Sequence, residues 1–138
     1  MEVTRRKRFW LPNMCHHVML RGIDGRPIFD DERDKIRFLL LLQQASEHCF
    51  FRVHAFCLMT NHIHLMSEPT VESLAVGVHR FTGRYAQYFN WRHKNRGYVF
   101  QGRFRSIVVQ DVIYIRSLVR YIHLNPVEAK LVTSNTFS

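Results

Sequence analysis

Two histidines separated by a single residue are the first feature of the sequence that could carry chemistry. In His62-Ile63-His64, side chains two positions apart on a strand would leave the same face of a sheet, with Ile63 on the other. Two neutral imidazoles on one face can share a divalent metal ion. The spacing also fits two ordinary sheet-surface histidines, because the chain holds 9 histidines in all. The pair is therefore a candidate metal site, and further ligands elsewhere in the chain would be needed to support it.

A tyrosine and an asparagine near the end of the chain form the second candidate. Tyr121 and Asn125 stand at positions i and i+4, which share one face of a helix. The asparagine carbonyl oxygen is a reasonable third ligand for a hard cation. The alternative is an aromatic core residue followed by an asparagine that ends the helix before Pro126, because Asn-Pro is a common boundary.

The elements that must position these residues follow the order β-α-β-β-α-β, and then one more helix. Alternating apolar and β-branched runs predict strands over 14–21, 51–59, 62–67 and 104–110. Helical periodicity predicts a first helix capped by Asp30 or Asp31, with an apolar face of Ile36, Leu39, Leu40 and Leu42. It predicts a second helix that follows Pro69 and runs to about Trp91. This order is the split-βαβ, ferredoxin-like pattern of the α+β class, with an antiparallel sheet, two helices on one face and a C-terminal helix that bears Tyr121.

The charge of the chain predicts a polyanionic partner, although a basic but unspecialised surface remains the alternative. The 138 residues fit one domain and contain 20 Lys and Arg against 11 Asp and Glu, for a net charge of +9. We expect a basic arm over 1–13 and a single domain over 14–138. Candidate phosphate-binding residues are Arg5, Arg6, Arg8, Arg21, Arg80, Arg84, Arg103 and Arg105. Phe9, Trp10 and Phe100 are candidates either for base stacking or for packing against the core.

The cysteines and the apolar runs indicate where such a chain would work. Cys15, Cys49 and Cys57 are odd in number and form no CxxC pair, which favours a reducing cytosol over a disulfide framework. No targeting signal is expected at the start, and the run at 38–42 is far too short to span a membrane.

Three segments, taken together and in order, resemble a known family. They are Thr60-Asn-His-Ile-His-Leu65, Gln101-Gly-Arg-Phe-Arg-Ser106 and Arg120-Tyr-Ile-His-Leu-Asn-Pro-Val127. The first resembles the His-hydrophobic-His (HUH) motif and the last the tyrosine helix of single-tyrosine HUH transposases. Together they are similar to the REP-associated tyrosine transposases, a domesticated bacterial branch, over about residues 15–132. After Asn-Pro-Val the chain continues with Glu128, Ala129 and Lys130, where relatives often have Arg and then Ala-Gly.

The resemblance implies a set of roles. His62, His64 and Asn125 would bind Mg²⁺ or Mn²⁺, and Tyr121 would be the nucleophile that forms a phosphotyrosine with a DNA 5′ phosphate. The substrate would be single-stranded DNA that bears hairpins of the REP kind, in the bacterial cytoplasm at the nucleoid. The resemblance also leaves the chain as either a monomer, as expected for this branch, or a homodimer that exchanges tyrosine helices.

Three functions therefore compete. The first is a metal-dependent DNA strand transferase that uses Tyr121. The second is a non-catalytic nucleic-acid-binding module on the same scaffold, and the third is a His-metal phosphodiesterase that activates water. The pairing of Tyr121 with Asn125 favours the first over the third, because a hydrolase has no use for a tyrosine at that place.

Overall fold

The described part of the chain contains four strands and two long helices in the predicted order. The structure is a computed structural model that describes residues 14–49, 51–70 and 74–109. The elements are β1 (Cys15–Arg21), α1 (Glu32–His48), β2 (Phe51–Leu58), β3 (His62–Pro69), α2 (Leu74–His93) and β4 (Arg105–Val109), with a 3-10 turn at Ile23–Gly25. The predicted basic arm and the predicted final helix, with Tyr121 and Asn125, lie outside the described residues.

The sheet confirms the ferredoxin-like arrangement. Its strand order is β2-β3-β1-β4, and each neighbouring pair is antiparallel. The two central strands, β1 and β3, are those that the split-βαβ pattern places side by side. Their register sets Met19 opposite His64 and Arg21 opposite His62. The start of β3 therefore lies beside the end of β1, and side chains from both strands can contribute to one site.

The two faces of the sheet have different compositions. One face packs against α1 and α2, and its buried core joins strand residues such as Val18 and Leu65 to helix residues such as Phe38 and Phe81. Because strand side chains alternate, the residues between them point to the other side. We call that side the histidine face, and it carries Cys15, His17, Met19 and Arg21 of β1, and His62, His64, Met66 and Glu68 of β3.

The apolar face predicted for α1 was partly wrong. Leu39 and Leu42 are buried as predicted, but Ile36 and Leu40 are 55% and 50% exposed. Phe38 and Ala45 complete the buried face in their place. A run of four leucines after Phe38 is compatible with more than one helical face. Phe38 determines which face of α1 is buried. Its ring makes edge contacts with Phe29, Phe81 and Tyr85, so the face that carries Phe38 packs against the core.

A buried carboxylate ties the beginning of α1 to the end of α2. Asp31 caps α1 by accepting from the backbone N–H of Asp34, as one of the two predicted caps. Asp34 is itself fully buried and accepts from Tyr88 Oη at 2.7 Å, Arg92 Nη1 at 2.7 Å and His93 Nε2 at 2.8 Å. Burial alone would raise the pKa of Asp34, but the hydrogen bonds from the Asp30 backbone N–H and these three side chains together lower the pKa below its ordinary value.

Replacing Asp34 with asparagine should lower the free energy of unfolding by about 3 kcal/mol, because Arg92 loses a buried charged partner. Urea unfolding at neutral pH measures the loss. Since the pKa of Asp34 is lower in the folded chain than the ~3.9 of an unfolded aspartate, its contribution is present above that unfolded pKa and is lost as the pH falls through the folded pKa. The difference between wild type and Asp34→Asn should thus be constant from neutral pH to about pH 5 and shrink below about pH 4.

The control for this prediction is Asp24→Asn. Asp24 is exposed and lies in the left-handed region at φ 53°, which asparagine tolerates well. We expect this change to stay within about 0.5 kcal/mol. Equal losses for the two variants would contradict the role given to Asp34.

Candidate active site

The two histidines of the His-Ile-His segment stand on the same face of β3. The His62 and His64 ring centroids are 5.1 Å apart, with the ring planes at 84°. Ile63 between them is fully buried in the core on the helix side. His62 is half-buried, whereas His64 is only 6% exposed. The alternation of β3 therefore produces a convergent pair of imidazoles, one partly open to solvent and one enclosed.

A hydrogen bond at Nδ1 orients each ring of the pair. His62 Nδ1 lies 2.8 Å from Asn61 Oδ1, and because that amide oxygen only accepts, the imidazole nitrogen is the donor. His64 Nδ1 lies 2.9 Å from Nε2 of His17, whose ring stacks at a centroid distance of 5.2 Å. When Nδ1 is the donor, the lone pair of a neutral imidazole is on Nε2, which is the form that a metal requires.

The electrostatics of this region favour neutral imidazoles. Burial, followed by the neighbouring His17, His62 and Arg21, lowers the pKa of His64 to about 4. Burial followed by the positive charge of Arg21 also lowers the pKa of His62, and burial lowers that of His17. Metal ions bind the neutral form of histidine. The donor set present here therefore fits a divalent cation at neutral pH.

A cleft of about 460 Å³ opens in front of the pair. The lining combines strand ends with three connecting segments, and its residues are Met19, Arg21, Gly22, Gly25, Asn61, His62, His64 and Gln101. Backbone hydrogen bonds join these segments, from Gly22 N to Asn61 O at 2.8 Å and from Gln101 N to Arg21 O at 2.8 Å. A Cβ atom at Gly22 would stand 2.1 Å from the carbonyl oxygen of Arg26, so the turn that shapes this wall requires glycine.

The predicted arginines divide between the two sides of the sheet. Arg21 is exposed at the cleft, and Arg105 is exposed on the same face, opposite Met19 in register. Arg103 is exposed and lies just before β4. Arg80 and Arg84 belong to α2, which packs on the opposite face of the sheet. The structure brings Arg21 and Arg105 to the histidine face, and it does not bring Arg80 or Arg84 there.

Several predicted site residues cannot be compared with this geometry. Tyr121, Asn125, Arg5, Arg6 and Arg8 all lie outside the described residues. Phe100 is described, and it is half-buried against the core.

Sequence reasoning missed His17, Asn61 and Gln101. His17 is 9% exposed and contacts His64, whereas its neighbour His16 points to the helix side and is fully buried. Strand alternation places His17 with Met19 and Arg21, but only the pairing of β1 with β3 shows that this face meets His64. Asn61 and Gln101 both fall inside the segments that carry the family resemblance, which was the available signal.

Comparison with known proteins identifies the class. The sequence profile of the family described as transposase, IS200-like, matches residues 11–125. The chain therefore belongs to the IS200-like transposase family, a class of DNA strand transferases, and the family resemblance seen in its motifs is confirmed. No curated protein matched the chain.

Two solved structures share the fold. A REP-associated tyrosine transposase bound to a REP hairpin aligns with a TM-score of 0.72 at 14% identity, over 91% of this chain and 74% of that one. A protein from Deinococcus radiodurans R1, described as a transposase, aligns with a TM-score of 0.61 at 14% identity, over 87% of this chain and 96% of that one. Within the described residues, neither helix has the length and apolar content needed to cross a membrane.

Proposed function

We propose that this chain nicks and rejoins hairpin-bearing single-stranded DNA through a phosphotyrosine formed on Tyr121. His62, His64 and Asn125 would hold one Mg²⁺ or Mn²⁺ ion. The proposal places the chain in the REP-associated branch, on the bacterial nucleoid, and treats it as a monomer or homodimer. It rests on membership of the transposase family and on one observation, the oriented pair of neutral imidazoles that opens on a cleft.

The protein groups around the pair have distinct tasks. His17 and Asn61 fix the two ring orientations through Nδ1. Arg21, exposed at the cleft, adds positive charge where a phosphate would enter. When bound, the metal would polarise the scissile phosphate and stabilise its charge as the bond breaks.

The covalent step uses the phenol oxygen of Tyr121. A tyrosine has an ordinary pKa of about 10, so its hydroxyl is a weak nucleophile until its proton is removed. Its Oη attacks phosphorus, the bond from phosphorus to the 3′ oxygen breaks, and that oxygen takes a proton. The products are a phosphotyrosine on the 5′ end and a free 3′ hydroxyl. Because one phosphate ester replaces another, the reverse attack by a 3′ hydroxyl rejoins the strand without an added energy source.

End-labelled DNA tests the proposal directly. The full chain is incubated with a panel of hairpin oligonucleotides and Mn²⁺ or Mg²⁺, and the products are run on a denaturing gel. A label at the 3′ end should shift to the mass of the protein plus DNA, while a label at the 5′ end should appear on a shorter free fragment. A chelator should abolish both products.

The two competing functions predict different labelled products on the denaturing gel. Cleavage that releases both labels as free fragments, with no adduct, would support a phosphodiesterase that uses water. Binding to the hairpins without cleavage in any metal would leave the non-catalytic module as the better account.

The orienting contact of His17 predicts a specific defect. His17→Phe keeps an aromatic ring in the stack and removes the nitrogen that bonds His64. We expect Mn²⁺ affinity to fall about 10- to 100-fold, the usual cost of losing a partner behind a metal ligand, with little change in thermal stability. Isothermal titration with Mn²⁺ measures it. His17→Asn keeps a polar group and should recover part of the affinity, so equal defects in the two variants would contradict the orienting role.

The division of the arginines predicts a difference in salt dependence. Arg105 lies on the histidine face and Arg84 on the helix layer. Arg105→Ala should weaken binding to all hairpins alike and reduce the slope of log affinity against log salt by about 1, because one phosphate contact is lost. Fluorescence anisotropy over a range of salt concentrations provides the slope. Arg84→Ala is the matched control, and a slope reduced only in that variant would move the DNA to the helix layer.

A further inference from the structure

A second cluster of metal-binding side chains lies at the other end of the histidine face. One possible ligand atom from each of Cys15, His54 and Glu68 lies within 4.8 Å of the other two. Cys15 begins β1 and Glu68 is near the end of β3, whereas the cleft lies where Arg21 pairs with His62. Glu68 is four positions along β3 from His64, a distance of about 13 Å. The two groups are therefore too far apart to share one ion.

The pairing of β2 with β3 brings a histidine to this cluster. Arg52 pairs with Glu68, and alternation along β2 places His54 on the same face as Arg52. Val53 pairs with Ser67 and Ala55 with Met66, so the strand is irregular after His54, and Ala55 lies on this face as well. His54 Nε2 lies 2.9 Å from Glu68 Oε1. Three strands therefore each contribute one side chain to the same place.

We propose that Cys15, His54 and Glu68 form a second metal site, for a zinc-class ion, that is separate from the histidine pair. Thiolate, imidazole and carboxylate are each usual ligands of Zn²⁺, and three protein ligands leave a fourth position for water. The two anionic ligands together balance the charge of a divalent ion. Mg²⁺ prefers oxygen ligands and is disfavoured by a thiolate, so this second site disfavours the Mg²⁺ proposed at the histidine pair.

The surroundings of the thiol support this assignment. Cys15 is half-buried and packs against the small apolar cluster of Ala55, Cys57 and Met66. Burial, and then the negative charge of Glu68, raise the pKa of the Cys15 thiol. The carboxylate is thus close enough to the sulfur for the two charges to repel, a repulsion that a bound cation would remove. Cys49 and Cys57 are outside this group of three ligands.

Cobalt titration of the full chain tests the second site. Co²⁺ replaces Zn²⁺ in such ligand sets, and a thiolate ligand gives an intense charge-transfer absorption in the near ultraviolet. We expect this band to saturate at one Co²⁺ per chain and to be reversed by added Zn²⁺. Cys15→Ser should abolish it, and Glu68→Gln and His54→Gln should each weaken Co²⁺ binding at least ~10-fold.

Matched variants separate this site from the others. Cys49→Ser and His64→Ala should keep the band, because neither residue belongs to the cluster. Circular dichroism shows whether each variant is folded. If Cys15→Ser is unstable, Glu68→Gln and His54→Gln provide the test, because they replace partly exposed side chains. The proposal is overturned if wild type gives no thiolate band, if the band survives in Cys15→Ser, or if Glu68→Gln and His54→Gln bind Co²⁺ as wild type does.

Discussion

Replacing Tyr121 with phenylalanine should abolish the covalent protein–DNA adduct, lowering its rate of formation by at least ~10³-fold. The change removes one oxygen and keeps the ring, so folding and most of the DNA affinity should be retained while the attacking atom is gone. The measurement is single-turnover adduct formation on an end-labelled hairpin, alongside DNA binding by anisotropy.

Tyr114→Phe is the control for this prediction. On the predicted final helix Tyr114 shares the stripe of Tyr121 but has no asparagine four residues later. It should form adduct at nearly the wild-type rate. An adduct formed normally by Tyr121→Phe would move the nucleophile to another residue. Cleavage without any adduct in that variant would favour water as the attacking group.

Loss of either histidine of the pair should slow cleavage because metal binding is weakened, while the nucleophile is retained. We expect His62→Ala and His64→Ala to lower the cleavage rate by about 10²-fold or more, because a metal contributes several kcal/mol of charge stabilisation to phosphate chemistry. Excess Mn²⁺ should partly restore His62→Ala, since the remaining ligands can still hold the ion weakly. Cleavage measured against Mn²⁺ concentration separates weaker metal binding from a lower maximal rate.

His48→Ala is the matched control for the histidine variants. His48 is exposed at the end of α1, on the helix layer and away from the cleft. Its replacement should leave cleavage unchanged at every metal concentration. A His64→Ala protein that cleaves as fast as His48→Ala would exclude the pair as the metal site.

The sequence was sufficient to predict the order of the elements and the direction of the two histidines. Both depend on local periodicity: alternation in β3 sets His62 and His64 on one face whatever the neighbouring strands are. A cap of α1 at Asp30 or Asp31 was likewise predictable from their position before a helical run, and in the structure Asp31 is the cap.

What could not be predicted depends on contacts between distant segments. His17 becomes the partner of His64 only through the pairing of β1 with β3. Asp34 looks like an ordinary first-turn acid until α2 brings Tyr88, Arg92 and His93 to it. His54 reaches Glu68 only through the pairing of β2 with β3, which the spacing of residues within β2 does not reveal.

The site of covalent attachment tests the central claim most directly. After reaction with a hairpin, nuclease digestion leaves a short nucleotide remnant on the protein, and trypsin then cuts after Arg120 and Lys130. The peptide from Tyr121 to Lys130 contains one tyrosine, and Tyr114 falls in a separate peptide that ends at Arg116. Mass spectrometry should find the remnant on the Tyr121 peptide. A remnant on the Tyr114 peptide, or cleaved DNA with every tyrosine peptide unmodified, would contradict the account.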